Sequence, residues 1–230
     1  MRNERKGIAM SQEKSYCIIK KDGYAYFPIK AKSGPYRDKA GKLKIGYLAG
    51  MPNFFGGTVE SDKGKDKYDT LVDEVSQESQ ENITINFSDT DSTDEKREKI
   101  KGACEELYSF TFLGRNPTTY YFYSFNADDY QPSVTIKGFE SSNLLELSTD
   151  ARLKEECREM SCILKIPVDE LCKNFYNFLD KCIETDKKPP EEHLLDRGTI
   201  TEHQDWKDEG TQNAFRAFCM NYGRCNSLIL

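Results

Sequence analysis

No stretch of this 230-residue sequence approaches the ~20 consecutive apolar residues of a membrane-spanning helix, so a membrane role of that kind is excluded. The chain opens Met1-Arg2-Asn3-Glu4-Arg5-Lys6, without the apolar run of a secretory leader. Histidine is scarce, at 2 residues, and none of the 8 cysteines stands in a Cys-x-x-Cys pair, so a structural zinc site is not expected. The thiols are expected to be reduced, several of them as small core residues, in a cytoplasmic protein. Positive charge is not in excess either: 33 Lys and Arg stand against 39 Asp and Glu, a net charge of -6. Such a chain is a poor electrostatic partner for nucleic acid or an anionic membrane. A local cluster at Lys30, Lys32, Arg37, Lys39, Lys42 and Lys44 could still hold a phosphorylated small molecule, or be a solvated loop.

What the chain does have is aromatic side chains, 13 Tyr and 13 Phe, enough for one substantial core. Residues 1–14 are polar and read as a flexible tail. Tyr16 to Lys20 and Tyr24 to Lys30 flank Asp22-Gly23 and predict a β-hairpin. Ile45 to Phe55 is an extended segment broken by Gly50 and Pro52. Tyr68, Leu71, Val72 and Val75 fall at helical spacing and predict a helix over 66–80. A strand over 82–87 follows. Residues 88–99 hold no apolar side chain and read as a polar insert, a surface excursion or a disordered segment.

Strands are predicted at 108–113 and 118–125, joined by Arg115-Asn116-Pro117, and again at 161–166. Tyr120-Tyr121-Phe122-Tyr123 could stack a base, but its alternation suits a packed strand better. Pro167 opens a further helix carrying Val168, Leu171, Cys172, Phe175 and Phe178 on one face. Pro189-Pro190 marks a linker, and an amphipathic helix over 211–222 closes the chain. This order of elements predicts an α/β (α+β) sandwich with a mixed sheet. Residues 15–186 form its main domain, and 187–230 are a linker and helical extension packed on that domain.

Chemistry concentrates in the helix over 66–80. Glu74, Gln77 and Glu78 lie at i, i+3 and i+4 and share one face, which Glu81 would extend if the helix continued. Paired carboxylates repel, and a divalent cation that prefers oxygen ligands removes that cost. Just upstream stands Phe54-Phe55-Gly56-Gly57-Thr58-Val59-Glu60. Paired glycines let a backbone approach a ligand or helix closely, and their carbonyls are hard oxygen donors.

The order Gly-Gly-x-Val-Glu, a loop, then a helix with Glu74-x-x-x-Glu78 resembles the box of the Nudix hydrolases. The flanks agree: Tyr16 to Lys30, Glu81-Asn82-Ile83-Thr84 and Ile163 to Leu171 resemble strands and turns of that family, over about 15–185. The resemblance implies a Nudix-like α/β/α sandwich. It also implies Mg²⁺- or Mn²⁺-dependent cleavage of the diphosphate in a nucleoside diphosphate linked to another moiety. Glu74, Glu78 and the Gly57 carbonyl would hold metal. Gln77 would orient water, and Glu159 or Glu156, with Glu155 behind them, would supply a late general base. Gly56, Gly57 and Glu60 would lie against the substrate.

The box departs from the family pattern at Lys65, Asp73, Gln77 and Ser79. The family's Glu and Arg at the first two positions oppose each other in charge. Lys65 and Asp73 would be that bridge with its signs exchanged, or two unrelated surface charges. The lost glutamate at Gln77 leaves two alternatives to the enzyme: a catalytically weak Nudix-fold module that binds a nucleotide or a protein, and an unrelated α+β interaction protein. Whether the chain is a homodimer is open.

Overall fold

The computed structural model describes residues 11–31, 52–113, 117–128, 132–140, 142–148, 150, 153, 159–173 and 209–223. The hairpin forms as expected: β1 (Gln12–Lys21) and β2 (Tyr24–Lys30) pair antiparallel. Asp22 and Gly23 both take positive φ, 50° and 77°, which matches the right-handed twist of the flanking strands. β3 (Phe55–Thr58) pairs with the first half of β1, antiparallel, so β1 carries β2 and β3 in succession along one edge. Its other edge pairs in parallel with β6 (Thr118–Asn126), which pairs with β5 (Cys104–Phe112). β9 (Met160–Pro167) lies antiparallel to β2, and β8 (Leu144–Glu146) lies outside β9. The result is a seven-stranded mixed sheet in an α+β fold, beside a separate ribbon of β4 (Ile83–Asn86) and β7 (Ser133–Ile136).

Strand alternation sends side chains to two cores, one on each face of the sheet. Ile18, Phe27, Phe54 and Phe122 face α3 (Glu209–Gly223), which contributes Phe215 and Phe218, and the helical turns at 168–173, which contribute Leu171. Cys17, Ile19, Tyr123 and Phe125 face α1 (Lys67–Glu78), which contributes Leu71 and Val75. No helix among the described residues is long and apolar enough to cross a membrane.

The polar segment 88–99 runs along the surface; after a turn at 88–92 it enters helix α2 (Thr93–Ala103), begun by a capping box in which Ser92 and Glu95 satisfy each other's backbone N–H groups. Its apolar anchors, Ile100 and Ala103, come one turn later. The segment 126–150, with no clear signal in the sequence, holds β7 and β8. The stretches 1–10, 32–51 and 174–208 lie outside the described residues. With them go most of the lysine cluster, the Pro189-Pro190 linker and much of the helix after Pro167.

The helix carrying Glu74 and Glu78 is pinned at both ends. Asp66 caps it, accepting from the N–H groups of Tyr68 and Asp69 at 2.8 and 2.9 Å, while Asp69 accepts from Asp66 N. Lys67 Nζ lies 4.1 Å from the ring centre of Tyr121 on β6, with Tyr68 and Tyr123 at 5.4 and 5.5 Å. At the other end the helix stops at Glu78, so Glu81 does not extend its acidic face. Buried Ser79 accepts the N–H of Ile83 and donates to its carbonyl.

The chain then reverses through Gln80 and Glu81, at φ 52° and 61°. The Gln80 amide holds this turn by exchanging two hydrogen bonds with the Ser148 backbone. Exposed Glu81 bears the left-handed strain without being glycine. Glu81→Gly should therefore stabilise the fold, by about 0.5–1 kcal/mol in denaturant unfolding. An unchanged or lower midpoint would show that Glu81 has a compensating role.

Candidate active site

The site forms where β3 is pressed between β1 and α1. A Cβ at Gly56 would collide with the Ser15 carbonyl and stand 2.6 Å from Tyr16 Cα; with φ at 155°, only glycine fits. At Gly57 a Cβ would run into Glu74 Oε1. The two glycines thus leave room for two carboxyl groups. Glu78 Oε2 accepts the Gly56 N–H at 2.9 Å and is 3% exposed, while the Glu74 carboxyl lies against Gly57.

Burial is the largest influence on both acids. It raises the Glu78 carboxyl well above the carboxylate range, and the Glu74 charge adds to this. The Gly56 hydrogen bond and the Lys30 charge act the other way. Glu74 is pushed up to about 7 by burial, then by the charges of Glu159, Asp73 and Glu60. Glu159, from the approach to β9, therefore bears on both helix carboxylates. It also pairs with Lys30 at 3.6 Å. Lys14 on β1 stands close to both: burial and then Lys30 lower its proton affinity, and Glu159 opposes them. Of the residues expected from the sequence, Gly56, Gly57, Glu74, Glu78 and Glu159 come together. Gln77 is half-buried on the turn between Glu74 and Glu78. Glu155 and Glu156 lie outside the described residues.

Glu60 is differently engaged. Both its oxygens are taken by lysines, Lys63 at 2.6 Å and Lys65 at 2.9 Å, and these hydrogen bonds hold it down to about 2. Lys65 also reaches Asp73 at 2.8 Å. The sign-exchanged bridge between loop and helix is therefore present. Sequence reasoning missed two contributors. One is Lys14, which belongs to no motif. The other is Arg97 of α2: its guanidinium donates twice to Asp69 Oδ2, at 2.9 and 2.6 Å, and once to the Gly64 carbonyl at 2.8 Å. It ties the loop before α1 to the helix cap. The Ser92-x-x-Glu95 box could have revealed the helix that carries it.

Chemically the site offers hard oxygen donors short of positive charge. Among the described residues no three His, Cys, Asp or Glu side chains converge closely enough to cage a metal ion. Mg²⁺ needs less than a cage, since one or two carboxylates suffice when phosphate and water complete its shell. Two acids with raised proton affinity, Glu78 buried and Glu74 partly buried, fit a divalent cation. So does Ser15 Oγ, paired in register with Gly57, fully buried and without a hydrogen-bond partner.

These proton affinities make stability depend on pH. An acid whose pKa rises on folding contributes stability below its unfolded value, and that contribution is lost as pH climbs through the folded value. Without divalent metal, stability should fall between about pH 4.5 and 7, by on the order of 2 kcal/mol. Glu74→Gln should flatten the fall, and Mg²⁺ should raise Tm more at pH 8 than at pH 5. Thermal melts of metal-free and Mg²⁺-loaded protein check both; a Tm independent of pH over this window would contradict the assignment.

No protein-family model matches the chain, and no curated protein sequence matches it. Solved structures do. A Nudix hydrolase from Alicyclobacillus acidocaldarius is 11% identical, with 84% of this chain and 89% of that chain covered and a TM-score of 0.39. An ADP compounds hydrolase is 10% identical, with 92% and 72% covered and a TM-score of 0.37. A bifunctional NMN adenylyltransferase/ADP ribose pyrophosphatase from Francisella tularensis, complexed with AMP and a Mn ion, is 14% identical with a TM-score of 0.33. The match takes in 77% of this chain and spans 42% of that enzyme's length. Solved Nudix hydrolases are thus among the structures to which this chain is similar.

Proposed function

We propose that the chain is a Nudix-type pyrophosphohydrolase, dependent on Mg²⁺ or Mn²⁺, that cleaves the diphosphate of a nucleoside diphosphate linked to another moiety. One observation carries this: two carboxylates a helical turn apart against the Gly56-Gly57 strand, Glu78 buried and Glu74 partly buried, with no cation bonded to either among the described residues. A structural role alone leaves that unfavourable burial unexplained.

Glu74, Glu78 and the Gly57 carbonyl would hold the metal, whose chemistry is to polarise phosphate and acidify water. The Gly56 N–H fixes one oxygen of Glu78 and leaves the other for a ligand. Gln77 brings an amide where a third carboxylate would stand, so it orients water without adding charge. Glu159, coupled to both acids, is the base of this scheme. Lys14 and Lys30 face the same region and offset phosphate charge. The Lys65–Asp73 bridge and the Arg97 clamp hold the loop against α1, and Glu60 belongs to that bracing.

Gln77 is also the observation that favours a second reading, a catalytically weak module that binds the nucleotide without turning it over. A panel of nucleoside diphosphate derivatives with Mg²⁺ or Mn²⁺ separates the two. The enzyme should release nucleoside monophosphate, and Glu78→Gln should lower kcat at least ~100-fold, the scale of losing one electrostatic stabiliser. Binding with no metal-dependent release would establish the module instead.

A further inference from the structure

A pair of thiols lies in the core on the α3 face of the sheet. Leu171 and Cys172, on the helical turns that leave β9, meet Ala214, Phe215, Phe218 and Cys219 of α3 in one buried cluster. Cys172 and Cys219 are 7% and 5% exposed, and neither is in a disulfide. Their sulfurs are in contact: the Cys219 thiol donates a hydrogen bond to the Cys172 sulfur.

Helical spacing brings them together. Phe215, Phe218 and Cys219 follow at i, i+3 and i+4 and share a face of α3. That face is seated on the sheet, with the Phe215 ring centre 5.4 Å from that of Phe27 and 4.6 Å from that of Phe54. On the other side, Leu171 and Cys172 are buried between exposed Glu170 and Lys173. The aromatic seat of α3 therefore holds one thiol against the other.

The two thiols differ in acidity. The hydrogen bond from Cys219 lowers the proton affinity of Cys172, against burial and the Asp169 charge, which raise it. The same bond, and then burial, raises that of Cys219. Burial raises Cys17 and Cys162 as well, and pushes Cys104 up to about 12. Thiolate is the nucleophile in sulfur chemistry, so Cys172 is the attacking member and Cys219 the resolving one.

We propose that Cys172 and Cys219 are a redox-sensitive pair that hydrogen peroxide joins in a disulfide, stapling α3 to the segment that follows β9. The Cys172 thiolate attacks one peroxide oxygen and the O–O bond breaks. This leaves a sulfenic acid and hydroxide, which takes up the proton that Cys172 released and departs as water. The Cys219 sulfur then attacks the Cys172 sulfur. The S–S bond forms, the S–O bond breaks, and the hydroxyl leaves as water with the Cys219 proton. Across both steps the sulfurs lose two electrons, peroxide gains them, and two waters form. Local opening of α3 admits the peroxide, and the disulfide then holds the helix closed. The staple lies on the face of the sheet opposite α1 and is independent of the hydrolase reading.

Trypsin separates the two thiols from the rest, since Cys172 is the one cysteine of peptide 166–173 and Cys219 the one cysteine of peptide 217–224. Reduced full-length protein would be treated with peroxide, alkylated, digested and analysed by mass spectrometry. The two peptides should appear disulfide-linked. The cross-link closes a loop on the order of 50 residues, so Tm should rise by roughly 5–10 °C and return on adding dithiothreitol. Cys219→Ser should show no link and no Tm gain, and its Cys172 should accumulate as a sulfenic acid that dimedone traps. Cys172→Ser should trap none at Cys219.

Met220, 45% exposed in the second peptide, gains an oxygen when peroxide has reached α3. Wild-type protein that is oxidised at Met220 yet keeps both thiols free overturns the pair, whatever the variants do. Linkage of either cysteine to a different partner, or a cross-link that leaves Tm unchanged, overturns it too.

Discussion

The site depends on one close approach, the passage of Gly56 against the backbone of β1. A side chain there is impossible because the Ser15 carbonyl and Tyr16 occupy its space. The approach brings the Gly56 N–H to Glu78 and lets Glu78 sink to 3% exposure. Gly57 then leaves just the volume that the Glu74 carboxyl fills. Two acids of an amphipathic helix thereby become a mutually repelling pair, Glu78 buried and Glu74 partly so. The fold withstands this because α1 is pinned by its Asp66 cap, by Lys67 among tyrosines and by Ser79 on β4. An unpinned helix could relieve the repulsion by turning the acids outward.

Much of the scaffold was legible in the sequence, for identifiable reasons. Asp22-Gly23 demanded the backbone conformation that a two-residue hairpin uses, and the apolar spacing of Tyr68, Leu71 and Val75 could only suit a helix face. The surface position of segment 88–99 follows from its lack of apolar residues, but its helix does not, because Ile100 and Ala103 lie just past the boundary and only the Ser92-x-x-Glu95 box marks the start. β7 and β8 carry little pattern of their own, since at 4 and 3 residues they are too short to show an alternation.

The acidic pair itself followed from the four-residue spacing of Glu74 and Glu78. Spacing says that two side chains share a face, not that the face is buried. That came only from the glycines' fit against β1. Lys14 was invisible for a related reason: on β1 it is one more polar residue in an alternating strand, and its neighbours Lys30 and Glu159 reach it only once β2 and β9 are paired. Arg97 similarly gains meaning only when α2 is placed beside the cap of α1.

The Lys65–Asp73 bridge has a consequence for how such a site can change over evolutionary time. Both side chains are substantially exposed, 37% and 52%, and bridges of that kind contribute at most about 1 kcal/mol. Reversing the sign of either residue alone gives a like-charged intermediate. Here that intermediate is merely inconvenient, because Arg97 and the Asp66 cap hold the loop independently. The bracing is redundant, and redundancy of this sort lets either residue change while the loop keeps its place.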